Sequence, residues 1–189
     1  MHPENTTRTA LILVDIQNDY FLGGNWPLQK QEQAAEKAQK LLEHCRSRSL
    51  PVIHIQHISD TADAPFFAPG TGGAAIHQAV TPKENETVVI KSEINGFKNT
   101  ELLEILKKQG FTKLVIAGSM SHMCIDALTR AASDHGFDCV VAEDACATRD
   151  LEFKGVTIPA EQVHAAFMSA LAFAYAKVTP SDDALNHLV

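Results

Sequence analysis

Short apolar runs alternate along the chain with longer stretches in which apolar residues return every three or four positions. TALILVD, residues 9 to 15, is apolar without polar alternation, the pattern of a strand covered on both faces. Within residues 30 to 48, Ala34, Ala38, Leu41, Leu42 and Cys45 recur at helical spacing, and Pro51 then opens the strand PVIHIQH. TVVIK reads as a third strand. NTELLEILKKQG reads as a helix capped by Asn99 or Thr100 and stopped by Gly110, and KLVIAG as the fourth strand. A helix over 122 to 135, the strand FDCVVAED, a loop, the helix PAEQVHAAFMSALAFAYA and a short strand AKVTP complete the series. Six strands alternating with helices predict an α/β fold built on a parallel, doubly wound sheet. Between the second and third strands, DTADAPFFAPGTGGAAIH is too long for an ordinary connector and carries two adjacent aromatics, as a binding loop or lid does.

Bulk properties narrow the function classes. A chain of 189 residues, 45% hydrophobic and 21% charged, suits one domain over residues 1 to 189. The net charge of -7 is spread along the chain, with no basic stripe for nucleic acid. The start, MHPENTTRTA, has no apolar signal core, and no apolar run approaches a bilayer span, which predicts a soluble cytoplasmic protein with no membrane partner. Cys45, Cys124, Cys139 and Cys146 fall in separate segments without zinc-like spacing, so free thiols in a reducing compartment are expected.

In an open parallel sheet the ligand site lies beyond the carboxyl ends of the strands, where strand order reverses. The residues following each apolar run are Asp15, His57, Lys91, Ser119 to Cys124, and Asp144 to Cys146. Cys124 falls in a first helical turn, where unpaired N–H groups favour a thiolate and can receive an oxyanion. Lys91 close by would favour the same ionisation, and Asp15 would move the proton. Cys139 and Cys45 read as core, and Cys146 as a weaker rival nucleophile. His54 and His57 differ by three positions and so point to opposite faces of a strand, which argues against a metal; no cofactor is expected. His122 is close enough in sequence to Cys124 to line the pocket, whereas His164 reads as a surface or core-edge group on its helix.

VDIQNDYF, FAPGTGGAAIH, VIKSEINGF and AGSMSHMCIDALTRAASDHGF together resemble the isochorismatase-like cysteine hydrolase superfamily, which includes nicotinamidases, N-carbamoylsarcosine amidase and the isochorismatases. The resemblance covers nearly the whole chain. It implies a Rossmann-like, mostly parallel six-stranded sheet flanked by helices and a catalytic triad of Asp15, Lys91 and Cys124. It also implies a cis peptide at Ser119–Met120, with the N–H groups of Met120 and Cys124 as oxyanion hole. Two departures matter: QHISDTAD lacks the Asp-x-His pair through which nicotinamidases hold a metal, and Cys124 stands where isochorismatases proper generally lack a cysteine.

The expected activity is therefore hydrolysis of a small, uncharged amide or related bond through a thioester on Cys124. The alternatives are an Asp15-driven vinyl ether hydrolase and, from another class, a redox-sensing or binding protein with a reactive thiol. Phe21, Trp26, His57, Phe66, Phe67, Phe97 and His122 are candidates for the substrate pocket. The helix at 160 to 175 is apolar around much of its circumference, which predicts a homo-oligomer, at least a dimer.

Overall fold

The computed structural model describes residues 7–189; the opening residues 1 to 6, on which the reading of a missing signal core partly rests, lie outside them. Six strands form one sheet: β1 (Thr9–Val14), β2 (Val52–His57), β3 (Thr87–Lys91), β4 (Lys113–Ser119), β5 (Asp138–Ala147) and a late strand, Lys177–Thr179. Their order across the sheet is third, second, first, fourth, fifth, late, and every pairing is parallel. The chain thus winds outward from β1 to one edge, returns across it to β4, and winds to the other edge. The reversal falls between β1 and β4, which places a crevice at their carboxyl ends.

Side-chain alternation splits the core into two layers. Leu11, Leu13, Val115, Ala117, Val140 and Ala142 face α1 (Gln31–Ser47) and the chain's C-terminal end. Ala10, Ile12, Val14, Leu114, Ile116 and Val141 face α2 (Leu102–Lys108), α3 (Asp126–Asp134) and α4 (Ala160–Ala174). Every residue of β1 is buried, as its unbroken apolar run requires in a central parallel strand.

Three features differ from the sequence reading. LEFKGVTI, read as part of a loop, forms an antiparallel hairpin of β6 (Leu151–Phe153) and β7 (Val156–Ile158), turned by Lys154 and Gly155, both at positive φ. Strands of three residues carry too little periodicity to register. The late strand is therefore β8, and a short helix, α5 (Ser181–Ala184), follows it. Second, β5 runs on to Ala147, so Cys146 is a strand residue and not part of a loop. Third, the helix read from residue 122 begins as a wide turn, Ser121–Ile125, in which the Ile125 N–H reaches back to the Met120 carbonyl before regular α-helix starts.

Gly118 sits at the crevice with φ of 129°, opposite Val14 in the β1–β4 ladder; a Cβ there would stand 2.0 Å from the Val14 carbonyl oxygen. Only glycine lets β4 approach β1 this closely, just before the two strands release Asp15 and Ser119.

Candidate active site

Asp15 leaves β1 at positive φ (50°) and is wholly buried. Lys91 ends β3, and Cys124 lies within the wide turn after β4. The three meet at the crevice. Lys91 Nζ stands 2.8 Å from Asp15 Oδ2 and 3.3 Å from Cys124 Sγ.

The ammonium has three protons, and three aligned acceptors take them: His57 Nδ1 at 2.8 Å, the Glu93 carbonyl at 3.0 Å and Cys124 Sγ. Asp15 is held by the charge of the ammonium, which stands 2.8 Å from Oδ2 with its protons aligned elsewhere, so the fully buried carboxylate keeps capacity to accept a further proton donor. Such capacity is costly in a buried carboxylate unless something in the cavity uses it.

Protonation states follow from the same contacts. Burial alone would lower the Lys91 pKa, but the Asp15 and Cys124 groups more than offset this and raise it, so Lys91 remains an ammonium. Burial, then the charge of Lys91, lowers His57, which is therefore neutral; accepting at Nδ1, it carries its proton on Nε2. For Cys124, burial is the largest influence and the Asp15 charge adds to it, so the thiol pKa is pushed up despite Lys91. The expected resting thiolate is thus replaced by a resting thiol: desolvation wins over the ammonium, and the residue sits in a wide turn in place of the first turn of a regular helix. The other cysteines are also held up by burial, Cys45, Cys139 and Cys146 each to about 12, which makes them inert core thiols.

Asp15, His57 and Cys124 bring donor atoms within 4.8 Å of one another, a grouping able in principle to hold a metal. The Lys91 ammonium touches all three, so positive charge is already present at their centre. These residues do not fit a cation.

A cavity of about 390 Å³ opens over Cys124. Trp26, His57, Phe66 and His122 line it, as does Met120, expected there as an oxyanion-hole residue, together with Tyr20, Ile94, Met123, Arg149 and Leu151, which sequence reasoning did not select. Phe21, Phe67 and Phe97 do not line it. Phe21 stacks on His77 at 3.6 Å, Phe67 is fully buried behind Tyr20, and Phe97 packs towards His135 and Phe137. A larger hollow of about 770 Å³ between α1, the end of β5 and α4 contains none of the three residues above. His164, on its rim, accepts or donates at 2.8 Å with the buried Ser121.

Two polar residues that sequence reasoning left without a role fasten this cavity. Gln17, fully buried, donates to the His57 and Ala74 carbonyls at 2.8 and 2.7 Å and accepts from the His57 N–H at 2.8 Å. Asp19 accepts from the N–H groups of Phe67 and Asn25 at 2.7 and 3.1 Å. A Cβ on Gly73 would fall 2.2 Å from Asp19 Oδ1. The stretch from 60 to 77 is thus a pinned wall in place of a swinging lid. The signal available in sequence was the polar run Gln17, Asn18 and Asp19 set between Ile16 and the aromatic pair Tyr20 and Phe21.

The Ser119–Met120 peptide is cis. The Met120 carbonyl accepts from the N–H groups of Met123 and Ile125 at 3.0 and 3.2 Å, so it is tied into the turn that carries Cys124.

Known proteins give the same frame. An isochorismatase domain model matches residues 9–183. The uncharacterised isochorismatase family protein YddQ of Bacillus subtilis is 49% identical over 92% of this chain and 97% of its own. Streptothricin hydrolase of Streptomyces noursei is 34% identical over 75% of this chain and 50% of its own. A solved isochorismatase-type structure from Oleispira antarctica superposes with a TM-score of 0.92 at 53% identity, covering 98% of this chain and 99% of that one.

Proposed function

Because the chain belongs to the isochorismatase family of hydrolases, we propose that it cleaves a small amide by a cysteine mechanism, with Asp15, Lys91 and Cys124 as its catalytic groups. The observation that carries this reading is the buried ammonium of Lys91 in contact with both a thiol and a buried carboxylate. Cys124 Sγ attacks the carbonyl carbon while its proton passes to Asp15, and the N–H groups of Met120 and Cys124 receive the oxyanion. Asp15 then protonates the departing amine, leaving an acyl group on sulfur. Water, deprotonated by Asp15, releases the acid and restores the thiol. Lys91 stays protonated throughout and offsets whichever of Asp15 or Cys124 carries the negative charge.

A resting thiol is consistent with this cycle, since ionisation is needed only as the bond forms and Asp15 is placed to take the proton. It disfavours a redox sensor, which needs an exposed thiol of depressed pKa; Cys124 is 3% exposed and raised. The relationship to streptothricin hydrolase supports hydrolysis as the reaction class. A panel of small amides and carbamoyl compounds, assayed by ammonia release, should reveal turnover that EDTA leaves unchanged. Loss of that turnover on chelation would mean that a metal, and not Lys91, supplies the positive charge.

The protein is further proposed to be a cytoplasmic homo-oligomer. Four unpaired buried thiols suit a reducing compartment, and no helix among the described residues is long and apolar enough to cross a membrane. On α4, Val163, Met168 and Leu171 are buried, while Ala165, Ala166, Ala170 and Phe173 are exposed, Phe173 by 91%. Such a second apolar face calls for cover. Sedimentation at micromolar concentration should give a dimer or larger; a monomer would count against it.

A further inference from the structure

α4 meets the turn that carries Cys124 at two neighbouring residues. His164 Nδ1 stands 2.8 Å from Ser121 Oγ. Phe167, three positions on and so on the same face of the helix, lies edge-on to the His122 ring with centres 5.9 Å apart. Ser121 is fully buried at the start of the turn, and its hydroxyl also lies 3.2 Å from the carbonyl of Ala147, the last residue of β5. One hydroxyl proton cannot serve both acceptors. Either the ring donates at Nδ1 while Ser121 donates to Ala147, or Ser121 donates to the ring; the bond between them forms in both cases.

His164 is itself oriented from behind. Its Nε2 stands 3.8 Å from Glu143 Oε2 on β5, and burial lowers its pKa against the pull of Glu143, so the ring is neutral at neutral pH. It lies on the rim of the larger hollow, not in the cavity over Cys124, so it reaches the sulfur only through the chain. The turn needs such a tie. It is wider than a turn of α-helix, with the Met123 and Ile125 N–H groups sharing one acceptor, the Met120 carbonyl. Two side-chain bonds fasten it from outside: His122 to Thr148 at 2.6 Å, just beyond β5, and Ser121 to His164 on α4. Cys124 follows Ser121 by three residues, and displacing a reacting group by about 1 Å costs up to about 100-fold in rate.

We propose that His164 is a positioning residue for the nucleophile: through Ser121 it ties the turn of Cys124 to α4, and so sets where Sγ stands against Asp15, Lys91 and the carbonyl under attack. This rests on the cysteine hydrolase reading above, and its test separates the two. Asparagine at 164 places an amide atom near the position of Nδ1, whereas glutamine places one near that of Nε2, out of reach of Ser121. The probe is iodoacetamide, small enough for the cavity of about 390 Å³. Sulfur bonds to its methylene carbon, iodide departs with the electron pair, and the thiol proton passes to Asp15. Intact mass and peptide mapping follow the label on Cys124, and label on the buried Cys45, Cys139 or Cys146 would report unfolding.

His164→Gln is expected to slow alkylation of Cys124 by about tenfold or more, and His164→Asn to restore it to within about threefold of the parent. Ser121→Ala breaks the same bond from the other end, so it should slow alkylation by a similar factor, and adding His164→Gln to it should slow it no further. His164 is half-buried at a rim, so the fold should survive its replacement; a melt checks this, and Ser121→Ala carries the test if the glutamine variant does not fold. Parent-like alkylation in a folded His164→Gln or Ser121→Ala protein overturns the assignment, as does a double variant slowed by the product of the two factors. So does a His164→Asn protein as slow as His164→Gln, because the bulk of the ring and not its nitrogen would then matter. A parent protein whose Cys124 takes no label overturns the thiol mechanism and this proposal together.

Discussion

Replacing Cys124 by alanine is expected to lower the hydrolysis of any amide the protein turns over by about 10⁴-fold or more, because covalent catalysis has no substitute nucleophile nearby. The fold should survive. The substitution removes one sulfur from a site that is only 3% exposed but faces the cavity, and a change of that size costs about 1 kcal/mol. Circular dichroism and a melt would establish that the lost activity is chemical. Activity of Cys124→Ala within about tenfold of the parent would return the reaction to an Asp15-driven attack, of the vinyl ether type, with sulfur a bystander. Cys146 is not placed to rescue the variant: it lies in β5, its sulfur directed to the Ala142 carbonyl at 3.4 Å.

The second large effect concerns Lys91→Met, which keeps most of the side-chain volume and removes the charge. Asp15 would then be a fully buried carboxylate without a counter-ion, and the chain would lose about 3–5 kcal/mol of stability in a denaturant titration. Its kcat/KM should fall by about 10³-fold or more, since nothing would then offset the negative charge that passes between Cys124 and Asp15. Parent-like stability together with activity within tenfold of the parent would mean that Lys91 is not the counter-charge of the site.

The parallel sheet was legible because each strand is a short apolar run and each long helix shows a clear three- and four-residue period. From strand ends alone, Asp15, Lys91 and the segment around Cys124 could be brought to one crevice, and there they meet. The cavity wall was less legible. Phe97 follows Lys91 in sequence but packs against His135 and Phe137, away from the cavity, and Phe21 was chosen where its neighbour Tyr20 is the residue that turns inward. Proximity along the chain does not say which side of a loop a residue takes. Leu151 and Arg149 reach the cavity from the β5 end and the β6–β7 hairpin, elements whose placement depends on tertiary contact. The protonation state of Cys124 was beyond sequence for a related reason. A helix start and a nearby lysine are visible in a string of residues, whereas the degree of burial that outweighs them is not.

The central claim is that an acyl group passes through sulfur. Its most direct test is the intact mass of the protein, acid-quenched while turning over a small amide, followed by peptide mapping. A species heavier by the acyl group, carried on the peptide that contains Cys124 and missing from Cys124→Ala, is the expected result. Steady product release with no such species at any quench time, and undiminished release by Cys124→Ala, would contradict it.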